Sequence, residues 1–508
     1  MSAIYNTREL AINHLRAKEE NNYDGERVIA RYWTNGENSE IASVEGIWHK
    51  VEGVNNLEIK DGSAAIINDL ETRIAELEAR IENCCGDESA NYLMFTNIGN
   101  TGTYVNISIE NNGGNAPIIY YSKGGSDFVQ WDYTTLQVDD EPIVMYGENE
   151  GSGFSKSETQ YSRFTFSGDG VLSASGYVES LVSSDIPDSL ASYDYCFYRL
   201  FADDSLGYLV KGPDFSAKTL GKHCYERLFE QCLGLRETPA MEAINLAERC
   251  CTLMFSRCDS LTEISPNTFK HAWLAERCYD SMFYECRRLA NAKNLAAPME
   301  LAPYCYHGMF EDCASLVEVP SLPSTSLAKY CYARMFKGTS VSQCTMPKLP
   351  AVIMKEGCYY EMFAYCDNIS YNSSAACDRI GLLNDVKILA EDCFHGMFSY
   401  CTNLRTPFII PRVSPVRGCC AEMFKGCTTV TRGWVYLSGI TLDNCNDYVN
   451  DMFSGCTLEN DYNYFGVFSA EERVIWQNIQ NAYPNIVPSH WYVQRDTSHI
   501  DYPDNDGV

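Results

Sequence analysis

Residues 278–289, CYDSMFYECRRL, and residues 305–316, CYHGMFEDCASL, are two copies of one pattern: Cys-aromatic-x-x-Met-Phe-x-x-Cys-x-x-aliphatic. Clean copies also begin at Cys224, Cys250, Cys358, Cys393 and Cys419. Three copies are degenerate. The one at Cys196 has Asp204 for its second Cys, the one at Cys331 has Thr339 there, and the last opens on Tyr448. The ten starts lie 28, 26, 28, 27, 26, 27, 35, 26 and 29 residues apart, the long step holding an insertion around residues 370–385. A period this regular predicts a solenoid, with the degenerate first and last copies as its terminal coils.

Within a copy, Cys(i), Met(i+4) and Cys(i+8) are predicted to share one face of a short helix, with the aromatic and the Phe beside them. The segments that follow, such as LTEIS (261–265), LVEVPSLP (316–323) and LRTPFIIP (404–411), read as a strand and a turn. Helix plus strand per unit is a leucine-rich-repeat-like layout. The expected core includes Cys224, Met254, Phe255, Cys258, Cys278, Met282, Phe283, Cys305, Met309 and Phe310.

The repeat holds 17 of the chain's 24 Cys. Two Cys eight apart on a helix are separated by about 12 Å, too far for a disulfide. Equivalent Cys on stacked coils run parallel rather than toward each other. Zinc needs CxxC or close Cys/His pairs, and the chain has no CxxC. The repeat thiols are therefore expected to be reduced, small, buried hydrophobes.

These residues carry a resemblance. MF-x-x-C-x-x-L followed by a Pro-punctuated strand resembles the BspA-type leucine-rich repeats of Bacteroidales surface proteins. The Cys-Tyr-x-x-Met-Phe form looks like repeats in fibre proteins of Bacteroides-infecting phages, crAss-like phages among them. The resemblance spans about residues 186–466. It implies a virion structural protein, a head or tail fibre, with a role in host attachment and adhesion.

The rest of the chain suggests a multidomain α+β protein. Residues 1–62 read as a small anchor module, with an amphipathic helix over 1–19 followed by VIARYW, an Asn35-Gly36 turn, IASVEGIWHKV and LEIKDG. It looks like the module that docks such phage proteins onto capsid or tail. Residues 63–86 carry a heptad seam at Ile67, Leu70, Ile74, Leu77, Ile81 and Cys84. β-branched a positions with Leu at d favour dimers. Arg73-Ile-Ala-Glu-Leu-Glu78 instead resembles a trimerisation signature, and Arg73 of one chain can pair with Glu78 of the next. The expectation is a parallel homotrimeric coiled coil; an intradomain helix is the competing reading. Cys84 and Cys85 could cross-link chains. Residues 87–185 hold about eight strand-like runs, from YLMFTNI to YVESLV, and suggest a β-sandwich. Residues 467–508 read as a C-terminal cap, opened by a capping box at Ser469 and Glu472.

Composition narrows the function. The 39 basic and 68 acidic residues give a net charge of −29, which repels nucleic acid. No run is long and apolar enough to insert in a membrane, and the first residues lack the apolar core of a secretory signal. This weighs against an exported bacterial adhesin, the alternative with the same repeats. No GxSxG, Walker A, HExxH or dinucleotide fingerprint appears. The expectation is a non-enzyme with no cofactor and no metal; a tail spike cleaving glycan with a carboxylate pair is the enzyme alternative. His307 and His395, in one repeat slot, are expected on the repeat surface.

Two rows are candidates for recognition. Glu237, Glu263, Asn291 and Glu318 would align on stacked strands as an acidic row, either a solvated face or a site for a cation or basic partner. Tyr225, Tyr279, Tyr306, Tyr332 and Tyr359 would form an aromatic ladder, with packing favoured over sugar stacking. The tail DYPDNDGV only fragmentarily resembles a Ca²⁺ loop.

Overall fold

The computed structural model describes backbone strands at 4–5, 27–33, 41–51 and 54–60, and residues 91–495 except 114–115, 152, 271, 297–299, 343, 370–382, 384, 405–409, 431, 458–463 and 468. The chain divides into two compact units, Met1–Ala90 and Asn91–Val508. In the first, β2 (Arg27–Trp33), β3 (Ile41–Val51) and β4 (Val54–Lys60) form an antiparallel meander. A short β1 (Ile4–Tyr5) pairs parallel with β2, so these two residues are strand where the periodicity predicts helix. A neighbour's open edge offers backbone partners that an isolated amphipathic segment lacks. The predicted coiled coil, with Ile67, Leu70, Arg73, Ile74, Leu77, Glu78 and Ile81, lies outside the described residues, as do Cys84, Cys85, Asn35-Gly36 and the DYPDNDGV tail.

The second unit opens with two sheets. β5 (Leu93–Asn97), β7 (Ile119–Lys123), β8 (Val129–Gln130), β10 (Ile143–Gly147) and β12 (Leu172–Ser175) belong to one; β6 (Val105–Asn112), β9 (Leu136–Val138) and β11 (Tyr161–Gly168) form the other. Phe95 of the first meets Phe164 of the second edge-on at 5.5 Å, in a core shared with Val105, Ile107 and Trp131. The run YVESLV is not a strand: Val178–Leu181 form a 3₁₀ turn with all four residues buried. A run buried throughout lacks the alternation that would separate strand from helix.

β13 (Leu209–Lys211), from the first repeat unit, pairs parallel with β12. Ring stacking also crosses this join, from Phe164 to Phe201 at 5.7 Å. The sheets and the repeats thus share one core.

The repeat segments are not α-helices. Their backbone is a succession of tight turns. In the Cys224 copy, the amides of Glu226, Leu228, Glu230 and Cys232 donate to carbonyls three residues back. The alternate amides, of Tyr225, Arg227, Phe229 and Gln231, donate to Cys250, Thr252, Met254 and Ser256 of the next coil. All of these backbone donors are therefore satisfied, half of them by the neighbouring coil. The geometry requires a left-handed residue at i−1, i+3 and i+7: His223, Arg227 and Gln231 have φ of 56°, 58° and 61°. A four-residue repeat and a 3.6-residue helix both place i and i+4 on one side, which is why the apolar spacing alone suggested a helix.

This winding stacks the interior. Ten rings, Phe201, Phe229, Phe255, Phe283, Phe310, Phe336, Phe363, Phe398, Phe424 and Phe453, form one column with neighbours 5.2–6.0 Å apart and tilted by 5–15°. The second-position thiols brace it. Cys232, Cys258, Cys286, Cys313, Cys366, Cys401, Cys427 and Cys456 donate to the column carbonyls of the preceding coil at 2.8–3.4 Å. The degenerate copies keep the backbone satisfied by other means. Thr339 Oγ1 donates to Phe336 of its own coil at 2.7 Å. Asp204 accepts from the amides of Tyr208 and Leu209 at 3.1 and 2.7 Å, turning the chain into β13.

At the far end, β14 (Ile410–Val413), β15 (Arg432–Leu437), β16 (Tyr464–Val467) and β17 (Tyr492–Arg495) form a parallel sheet. A short helix α1 (Cys445–Val449) enters the last copy. Helix α2 (Ala470–Ala482) opens with the expected capping box, Ser469 and Glu472 each holding the other's backbone amide. Its buried Trp476 packs on Phe465 at 4.6 Å, and Trp491 closes on Phe453, the last ring of the column, at 5.0 Å.

Candidate functional site

The expected core residues, Cys224, Met254, Phe255, Cys258, Cys278, Met282, Phe283, Cys305, Met309 and Phe310, are all buried. All 17 repeat thiols are free and buried. Burial pushes the thiols of Cys286, Cys331 and Cys456 up to about 12 and that of Cys366 to about 11. Such groups stay protonated and are poor nucleophiles. Cys344, outside the repeat set, is disulfide-bonded.

Tyr225, Tyr279, Tyr306, Tyr332 and Tyr359 are buried to 3% exposure or less. Tyr279, Tyr306, Tyr332 and Tyr359 stack into a second internal column at 5.7–6.1 Å. No sugar can reach them. Tyr225 donates its hydroxyl to buried Glu179 at 2.5 Å. Glu179 also accepts from the amides of Ser216 and Ala217, each at 3.2 Å, fastening the 3₁₀ turn to the first coils.

The acidic row is partly assembled. Glu263, Asn291 and Glu318 are parallel partners on successive coils. Lys293 neutralises Glu318 at 2.7 Å, and Lys211 neutralises Glu237 at 3.2 Å. Among the described residues, no three His, Cys, Asp or Glu side chains gather as a metal-ligand set, and no helix is long and apolar enough to cross a membrane. A groove of roughly 200 Å³ lies in the two-sheet region between Asn111, Pro117, Glu148 and Lys156.

The outer residues that sequence reasoning missed are those forced into the left-handed conformation at i−1 and i+7, beside the i+2 slot where His307 and His395 were expected. Their side chains leave the turns and lie over the next coil. At i−1, Arg277 caps Tyr304 at 4.2 Å, and Tyr304 stacks on Tyr330 at 5.1 Å. At i+2, Tyr360 stacks on His395 at 4.7 Å, and His307 meets Asp280 at 2.9 Å. The His307 bond and the Arg277 ion pair outweigh burial and hold the Asp280 carboxyl below its usual range. At i+7 stand Asp312, Gly338, Tyr365, Tyr400 and Gly426. Tyr365 and Tyr400 stack at 4.7 Å and 9°, yet stay 49% and 37% exposed. Burial, then the nearby Glu285, pushes the Asp312 carboxyl up. Glycines scattered over the i−1, i+3 and i+7 positions, such as Gly308 in CYHGMF and Gly396 in CFHGMF, were the available signal for this surface.

Comparison with protein-family models, with curated proteins and with solved structures finds no match.

Proposed function

We propose that the chain is a non-enzymatic fibre of a phage virion, decorating the head, whose leucine-rich-repeat-like solenoid presents an adhesive face to a host-cell glycan or protein. In this reading residues 1–62 attach to capsid or tail proteins, residues 63–86 join three chains, and the two-sheet region spaces the coils from the particle. The observation that supports it best is the surface of the stacked coils. One set of outward positions recurs at every coil, as along Asp312, Gly338, Tyr365 and Tyr400, giving an extended lattice of weak contacts rather than one deep cleft. Three copies of such a lattice would gain from effective concentration.

Immunogold labelling of purified phage particles with antibodies to residues 91–508 tests this. Gold on heads is the expected result. Gold on tails would make the chain a tail fibre or spike. Gold on uninfected cells alone would transfer it to the bacterial leucine-rich-repeat adhesins.

A further inference from the structure

The i+7 row has gaps at Gly338, Gly426 and Gly455. Gly338, with φ of 71°, stands between Asp312 and Tyr365. The backbone ladder fixes this order: Asp312 N donates to Lys337 O at 2.8 Å, Gly338 N to Ala364 O at 2.8 Å, and Tyr365 N to Ser399 O at 2.8 Å. Asp312 and Tyr365 therefore stem from coils two steps apart, about 9–10 Å at the usual spacing of hydrogen-bonded chains. A Cβ at residue 338 would overlap Asp312 Oδ1, so the carboxylate leans into the gap from one side.

Tyr365 bounds the other side. Its far face is covered by Tyr400, whose ring in turn lies where a Cβ at Gly426 would be. Among the described residues no ring lies over its near face, where the glycine of the preceding coil leaves room for the Lys337 ammonium. Lys337 Nζ sits 5.8 Å from the Tyr365 ring centre and is held by Glu361 at 2.9 Å and Glu311 at 3.3 Å. Its charge is compensated. The Asp312 side chain, in contrast, makes no hydrogen bond or ion pair among the described residues.

We propose that this notch, bounded by Asp312, Gly338 and Tyr365, is a binding subsite for a neutral hexopyranose of a host-surface glycan. The inference rests on the adhesion reading above and names its ligand class. A pyranose has an apolar C–H face that suits the negative face of an aromatic ring, at van der Waals separation of about 3.5–4 Å. Its rim of hydroxyls supplies donors for an acceptor-only carboxylate. A ring stacked on Tyr365 fits within the two-coil interval and turns hydroxyls toward Asp312. Anionic sugars are disfavoured by that carboxylate, by Glu285, and by the net charge of −29. A protein side chain seated in the notch would show up as a failure of the sugar test.

Saturation-transfer NMR on the full-length protein with millimolar methyl glycosides of glucose, galactose and mannose reads this directly. At least one glycoside is expected to receive saturation on the C–H protons of a single ring face. Tyr365→Ala should reduce the signal by about tenfold, the loss expected for an aromatic contact of this kind. Tyr365→Phe should retain it. Gly338→Asn, which tolerates the left-handed backbone, should abolish it by filling the notch while leaving Tyr365 in place. Unchanged thermal melting would exclude misfolding of the variants. No saturation with any of the three sugars, or equal saturation in wild type and Tyr365→Ala, overturns the subsite. Gold-labelled heads together with a silent notch would sink the subsite and spare the fibre.

Discussion

The Tyr225 hydroxyl donates to Glu179 Oε1 at 2.5 Å, and both groups are fully buried where the sheets meet the coils. Each Glu179 oxygen accepts two donors: Tyr225 and Ala217 on Oε1, the amide and hydroxyl of Ser216 on Oε2. Glu179→Gln would turn an NH₂ toward one of these donor pairs. It is expected to destabilise the chain by at least about 1–3 kcal/mol, the cost of leaving buried donors unmade. Tyr225→Phe should cost about 1.5–3 kcal/mol, as for a hydrogen bond to a charged group. Calorimetric melting checks both.

The same carboxyl sets a pH dependence. Burial outweighs its hydrogen bonds and raises its pKa above the ordinary carboxyl value. The native state then binds this proton more tightly than the unfolded chain. Stability from this group therefore increases as pH falls through the folded pKa and diminishes as pH rises. The melting temperature of wild type relative to Glu179→Gln should climb on going from neutral to mildly acidic buffer. A constant difference across that range would show that Glu179 does not titrate differently in the two states.

The repeat thiols should be silent toward a thiol reagent in the native protein, with the exception of Cys419, whose hydrogen bond with Cys420 lowers its pKa. For Cys286, a pKa near 12 against an ordinary 9.0 cuts the thiolate population, a roughly thousandfold loss. Native protein with dithionitrobenzoate at mildly alkaline pH should leave the rest of the buried repeat set unreacted, and denaturant should release it. Rapid native reaction of that set would contradict a braced interior.

Phe283→Ala removes one ring from the middle of the column, between Phe255 at 5.3 Å and Phe310 at 5.6 Å. The expected loss is about 3–5 kcal/mol. Because a coil contacts chiefly its neighbours, unfolding should split into two transitions, one for the coils on each side. A single unsplit transition by circular dichroism would show that cooperativity passes through the gap.

Backbone hand gives an inverted glycine rule. Gln231 sits at φ 61° with a side chain. Replacing it by Gly should stabilise by about 1–2 kcal/mol, less the side chain's own contacts, although glycine ordinarily weakens regular structure. Gly396, at φ 60° and with Glu361 Cγ 3.0 Å from its Cβ position, should lose a similar amount on Gly396→Ala. Denaturant melts of the pair, moving in opposite directions, check the winding itself.

What was legible in the sequence was the period and the core, because burial dictates Cys, Met and Phe at fixed offsets in every copy. The strands β2–β8 and β10–β12 were legible from alternation. The winding was not. Over eight residues a 3.6-residue helix drifts by only about 80° from a four-residue turn, so Cys224, Leu228 and Cys232 fit either. Glycines such as Gly308 and Gly396 at i+3, Gly357 and Gly418 at i−1 and Gly338 and Gly426 at i+7 hinted at left-handed backbone, and side chains such as Arg227 and Glu361 at the same positions masked it. The outward Tyr365–Tyr400 pair was missed for the same reason. A helical reading assigns i+7 no special direction, whereas the turns swing it over the next coil.

Alternate amides of each coil feed the next, and this persists across the 35-residue step, where Phe363 N still reaches Met397 O at 2.9 Å. Donor and acceptor sets are the same at every joint. A gene can therefore drop or duplicate about 27 residues between two joints and leave the flanking ones chemically unchanged. Reach becomes a quantity that recombination can alter in whole steps, while the outer residues of each step remain free to diverge toward a different surface.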